Sequence, residues 1–336
     1  MSGFMIVKRY WKMGALALSL TLGVALAGRA SDCSKTSVGL TPLTELGTGT
    51  YQGKRGGLYP NGMNTPPPEH FLAGLRLAEE IEPLDANGRP DPRNGRIVLI
   101  SIGMSNTTQE FSTFIELAND DPEKNPLLTI VDGAQGGMSA NRIIDPDDGA
   151  TGTRFWTRVD QRLRRAGVTP NQVQVAWVKE ADPRPTLPFP ADAEQLQSEL
   201  AIIAQILKHR FPNLKLAYFS SRIYAGYATT SLNPEPFAYQ SGFAVKWLIE
   251  RQINGDPALN FDPLRGEVNA PWLAWGPYLW ADGLRARQDG LIWECDDFRE
   301  DGTHPSEKGR RKVAALLLDF FKTDPTARPW FLRSGF

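Results

Sequence analysis

Histidine and cysteine are scarce in this chain, three and two among 336 residues. Cys33 and Cys295 are the only thiols, and no His/Cys cluster stands beside either. That leaves too few ligands for a structural metal site, so no metal is expected. An excess of basic charge is also missing. Lys and Arg number 37 against 38 Asp and Glu, a net charge of −1. A nucleic-acid partner normally calls for a basic face, and none is expected here. The apolar run at residues 13–27 is short for a membrane span.

That run has a different meaning. Lys8, Arg9 and Lys12 precede it, and small residues stand at Ala25, Ala27 and Ala30. A charged region, an apolar region and a small-residue cleavage site make a secretory signal peptide. Residues 1–30 are read as that signal, with cleavage after Ala27 or Ala30, and the mature protein as secreted or periplasmic without stable membrane insertion. An uncleaved anchor is the alternative. Lipidation at Cys33 is disfavoured, because Asp32 stands where a small residue is needed. In an exported protein an even pair of cysteines suggests a disulfide. Cys33–Cys295 would tie the mature N-terminus to the segment before residue 301 and, by chain entropy, would stabilise by roughly 4–5 kcal/mol. Two unpaired thiols are the other reading.

What is present is chemistry at two places. Asp301-Gly302-Thr303-His304-Pro305 puts an acid three residues before a histidine in a Gly/Pro-rich loop. A hydroxyl nucleophile needs a base titrating near neutrality, and an acid to fix its tautomer. Residues 96–102, RIVLISI, are apolar and β-branched, hence a buried strand. The strand runs into Gly103-Met104-Ser105-Asn106, and residues 107–118 suit a helix. A serine between strand and helix lies where α/β sheets bind ligands, and the helix start offers amides to an oxyanion. Ser105 is the expected nucleophile, His304 its base and Asp301 the orienting acid, with Asp297 a rival to Asp301.

Together these blocks resemble the SGNH (GDSL-type) hydrolases, over about residues 95 to 322. The Ser-Asn form at 105–106 is closest to the carbohydrate-esterase branch, and the closing Asp-x-x-His-Pro block matches well. The resemblance implies a three-layer α/β/α sandwich with a short, mainly parallel sheet. It also implies an oxyanion hole built from the Ser105 amide and a glycine after the second strand. Gly136 or Gly137 fits, since a side chain there would block the approach of an amide. The third block departs from the pattern. No amide side chain stands in residues 178–182. Lys179 occupies about that place, either as an ammonium donor tuned by Glu180 or as half of an exposed Lys-Glu pair.

Elsewhere strand alternates with helix. Strands are expected at 127–131, 173–177 and 214–220, and helices at 69–81, 153–166, 192–209, 241–254 and 308–321. This alternation implies a parallel sheet covered on both faces. Residues 31–94 read as an N-terminal arm and linker with one helix, and 95–336 as the hydrolase domain. Tyr51, Tyr59 and Asn64 of the arm either reach the rim of the site or only wrap the domain. Arg222, just past a strand end, is a candidate to hold a carboxylate or a sugar hydroxyl, and Asn106 a further substrate contact. Trp272, Trp275, Tyr278, Trp280 and Trp293 either stack on sugars or fill a core, with Trp275 and Trp280 the candidate substrate contacts. The expected activity is ester hydrolysis through an acyl-enzyme without a cofactor, on a small-molecule or saccharide ester such as an O-acetyl sugar. Lipase, lysophospholipase or thioesterase chemistry is one alternative. A non-catalytic carbohydrate-binding protein on a hydrolase scaffold is another. Oligomeric state is open.

Overall fold

The computed structural model describes residues 1–3 and 30–333. The expected signal peptide lies almost wholly outside the described residues.

Five strands form the central sheet: β1 (Ile97–Gly103), β2 (Leu128–Asp132), β3 (Val173–Lys179), β4 (Leu216–Phe219) and β5 (Trp272–Trp275), in the order β2-β1-β3-β4-β5. Every neighbouring pair is parallel. A parallel pair needs a crossover, and a helix covers it. Accordingly every residue of β1, β3, β4 and β5 is buried. Two such layers of helix on one sheet make the three-layer α/β/α architecture. The strand order places β1 between β2 and β3, so the chain reverses direction across the sheet just beyond β1, where ligand clefts form.

Six longer helices are α1 (Pro68–Glu79), α2 (Ser105–Asp120), α3 (Thr151–Arg165), α4 (Ala191–Arg210), α5 (Phe237–Ile253) and α6 (Glu307–Thr323). Residues Thr107, Glu110, Phe111, Phe114 and Ala118 of α2 are buried at helical spacing. Helix α2 packs against α6, and α4 against α5. Cutting one of the fully buried β1 residues Val98, Leu99 or Ile100 to alanine would cost about 2–5 kcal/mol at typical core values. Gly103 closes β1 because α2 folds back over it. A Cβ there would overlap the Thr107 side chain and the Lys179 carbonyl.

The arm is woven into the domain. Leu43 is fully buried, and its N–H donates to the Tyr278 hydroxyl at 3.1 Å. Ser37 Oγ donates to Asp282 at 2.5 Å. Tyr51 packs against Phe189, Tyr239 and Phe243. Tyr59 is buried and accepts the Trp275 N–H at 3.2 Å, while Asn64 donates to the Thr44 carbonyl. Tyr51 and Tyr59 therefore hold the arm onto the domain, Asn64 braces the arm within itself, and none of the three lines the site described next. A Cys33–Cys295 disulfide, with Cα atoms 5.4 Å apart, fastens its start.

The strand at β5 was not expected. Its sequence, WLAW, reads as part of an aromatic cluster, and its burial on both faces removes the alternation that would have marked it.

Candidate active site

Ser105 is the first residue of α2, two residues after β1 ends. Its hydroxyl lies 2.8 Å from His304 Nε2. His304 Nδ1 lies 2.5 Å from Asp301 Oδ2. Burial opposes charge on Asp301, but hydrogen bonds from the His304 ring and from the His304 and Thr303 amides outweigh it and hold the carboxyl at about 2. An ionised Asp301 must be met by a proton on Nδ1. Nε2 is then free to accept from the Ser105 hydroxyl.

The loop carrying His304 is braced from several sides. Arg299 N–H donates to the His304 carbonyl at 2.8 Å, and Thr303 Oγ1 meets Thr230 Oγ1 at 2.8 Å. Asn106 Nδ2 donates to the Thr303 carbonyl at 2.9 Å. Asn106 lines the cavity, but this bond gives its amide a different job from the expected substrate contact: it ties the helix that starts at Ser105 to the loop that carries His304. Asp297 is no rival to Asp301. It is fully buried, accepts the Glu294 N–H at 2.8 Å and pairs with Lys312.

Ser105 and His304 open onto a cavity of about 160 Å³, also lined by Gly137, Ser139, Asp182, Arg222 and Asn233. The first amides of a helix have no intrahelical acceptor, so the Ser105 N–H is available there. Neither the Gly136 nor the Gly137 N–H finds a protein acceptor among the described residues. Gly137, at φ +74° and on the cavity wall, has a conformation suited to glycine.

Lys179 is the main correction. It is neither exposed nor directed at the cavity, and its partner is not Glu180. Its Nζ donates to both carboxylate oxygens of Glu110, at 2.7 and 2.5 Å, and both side chains are fully buried. Burial lowers Lys179 to about 8 and raises Glu110, while their mutual attraction opposes both shifts. The ion pair takes two of the ammonium's three donors in the interior, off the cavity wall, so an oxyanion role for it falls. Sequence reading missed Glu110 because it sits 69 residues away, on the buried face of another element.

Trp275 and Trp280 are corrected too. Trp275 is 3% exposed with Nε1 donating to the Leu58 carbonyl, and Trp280 is fully buried with Nε1 on Glu235. Both are core residues tying the arm and the loop after β4 to the domain. Arg222, by contrast, does reach the cavity. Among the described residues one acidic group, Glu294, Asp296 and Asp297, has metal-like spacing. Lys308 and Lys312 already pair with it.

No protein-family model matches the chain, and no curated protein does. Among solved structures the chain is similar to a lipase from a goat rumen metagenome. Identity is 12%, coverage is 66% of this chain and 96% of that one, and the TM-score is 0.38. It is also similar to the periplasmic domain of a lipopolysaccharide acetyltransferase from Salmonella ser. Paratyphi A. Here identity is 14%, coverage 75% and 94%, and the TM-score 0.36. Overlap this loose assigns no activity; the reading below rests on the geometry of this chain.

Proposed function

We propose that the chain is an exported serine esterase that hydrolyses a short acyl ester through an acyl-enzyme. The observation that carries this reading is the hydrogen-bonded line from Ser105 through His304 to Asp301, at 2.8 and 2.5 Å, on the wall of a cavity. His304 Nε2 takes the Ser105 proton as Oγ attacks the ester carbonyl. The Ser105 and Gly137 amides stabilise the oxyanion. The alcohol leaves with the proton from His304, and water enters by the same base to release the acid. Asp301 stays ionised and steadies the imidazolium.

A cavity of about 160 Å³ is below the range of sites for drug-sized ligands, about 300–1,000 Å³. A short acyl group such as acetyl suits it better than a lipid chain, which weighs against the lipase and lysophospholipase readings. An O-acetylated saccharide is the substrate we favour. An intact Ser-His-Asp line weighs against a purely binding role.

The test is hydrolysis of p-nitrophenyl acetate and octanoate by the mature protein beside Ser105→Ala and His304→Ala. Acetate should be preferred, and either substitution should lower kcat by at least about 10³-fold. Equal turnover by the Ser105→Ala protein would overturn the reading.

A further inference from the structure

Arg222 follows β4 and is 1% exposed, yet it lines the cavity beside Ser105 and His304. Its main chain is fixed, with the N–H donating to Ser241 Oγ at 3.1 Å. Its side chain is not. Nε and Nη2 meet no acceptor. A guanidinium keeps its charge in proteins, and a buried charge without a partner is strongly unfavourable. The two unmet nitrogens form one edge of the planar fork, the edge that engages both oxygens of a carboxylate; both atoms are closed to water, so a ligand carboxylate reaches them only as the cavity wall gives way.

The carboxylates nearby do not fill that edge. Glu110 is held by Lys179 at 2.7 and 2.5 Å. Glu235 accepts from Trp280 Nε1 and from the Ala225 and Tyr239 amides. Asp301 is committed to His304. Glu180 is buried off the cavity wall with both carboxyl oxygens unmet, so it does not fill that edge either, and burial pushes its carboxyl well up. The cavity wall itself carries three arginines, Arg142, Arg184 and Arg222, against one acid, Asp182. Asp182 already accepts the Asn141 N–H at 3.0 Å.

We propose that the cavity selects esters bearing a carboxylate and that Arg222 is the residue that binds it. This rests on the esterase reading above and narrows its substrate class. The carboxylate belongs either to the acyl part, as in a hemi-ester of a dicarboxylic acid, or to the alcohol part, as in an acylated uronic or hydroxybenzoic acid.

Two matched pairs separate these sources. 4-Nitrophenyl hemisuccinate against 4-nitrophenyl methyl succinate tests the acyl side. 4-Acetoxybenzoate against methyl 4-acetoxybenzoate tests the alcohol side. In the wild type, the charged member of at least one pair should have a kcat/KM at least tenfold higher, and that pair names the side. Arg222→Gln should shrink this preference at least tenfold, and succinate or 4-hydroxybenzoate should inhibit competitively. Neutral esters favoured in both pairs by the wild type, which needs no variant to fold, would overturn the proposal. So would an unchanged preference in a folded Arg222→Gln protein, or an equal loss on charged and neutral esters. If no ester of any kind is hydrolysed, the esterase reading fails by itself. The site is then tested by calorimetry on Ser105→Ala. Monomethyl succinate or 4-acetoxybenzoate binding at least tenfold more tightly than its methyl ester would sustain the carboxylate site, and equal binding would end it.

Discussion

Asp301 grips His304 twice: Oδ2 meets the ring nitrogen Nδ1 at 2.5 Å, while Oδ1 accepts the main-chain N–H of the same residue at 2.9 Å. One carboxylate thus sets both the ring's tautomer and the loop that carries it.

Replacing Asp301 by Asn keeps an acceptor for the main chain and loses the charge. The ring can then settle in the wrong tautomer, and kcat on p-nitrophenyl acetate should fall by about 10³–10⁴-fold with little loss of fold. The same pair predicts an acid limb for stability. The native carboxyl titrates at about 2, below an unfolded value near 4, so its contribution is complete above about pH 4 and fades as pH falls toward 2. Urea midpoints of wild type and Asp301→Asn should converge over that window. A gap that stays constant down to pH 2 would contradict the assignment.

The Lys179–Glu110 pair should matter to folding rather than to turnover. Lys179→Met strands a buried carboxylate and should cost about 3–5 kcal/mol. Adding Glu110→Leu should restore most of that, because an apolar pair of similar volume replaces the ions. Turnover of the folded double variant should stay within tenfold of wild type, whereas an oxyanion donor would be worth about 10²-fold or more. Urea unfolding and active-site-titrated kcat give both numbers.

Gly136 and Gly137 are neighbours with different expected penalties. A Cβ at Gly136 would sit 3.9 Å from the Ser105 Cβ, an ordinary contact. At Gly137 the space is open but φ is +74°. Gly137→Ala should therefore cost about 1–2 kcal/mol from the backbone alone. The N–H survives the substitution, so if that amide holds the oxyanion, kcat should drop besides only as far as the changed φ or the new methyl moves the amide off the oxyanion. Comparing both variants by thermal unfolding and by single-turnover acylation identifies which amide acts.

Removing the Cys33–Cys295 bridge, by Cys33→Ser with Cys295→Ser, should lower stability by up to about 4–5 kcal/mol, the chain-entropy value for a long loop. Guanidinium titrations with and without the bridge measure it. A loss under about 1 kcal/mol would mean that closing this loop restrains the unfolded chain far less than the chain-entropy value.

The sheet and the Ser-His-Asp line were legible because their signals are local. RIVLISI and VQVAW are dense apolar runs in the positions observed as β1 and β3, and Asp301 reaches His304 across two residues. What was hidden depends on partners distant in sequence. Nothing near Lys179 announces Glu110, and nothing in WLAW separates a strand from a packed aromatic cluster. Trp275 and Trp280 look alike whether they face a sugar or a core, because indole serves both. The arm's carbonyl at Leu58 and the Glu235 carboxylate decided between them.

Ser105 and His304 stand 199 residues apart, and the strand leading to the serine is threaded between two later ones. A ribosome must finish β2, β3, β4, β5 and the closing loop before the hydroxyl meets its base. Refolding monitored by tryptophan emission will therefore run ahead of the recovery of the proposed ester cleavage. A chain truncated before residue 301 loses the imidazole and helix α6 together, so the group that would activate its serine and the cover over α2 arrive in the same last stretch of synthesis.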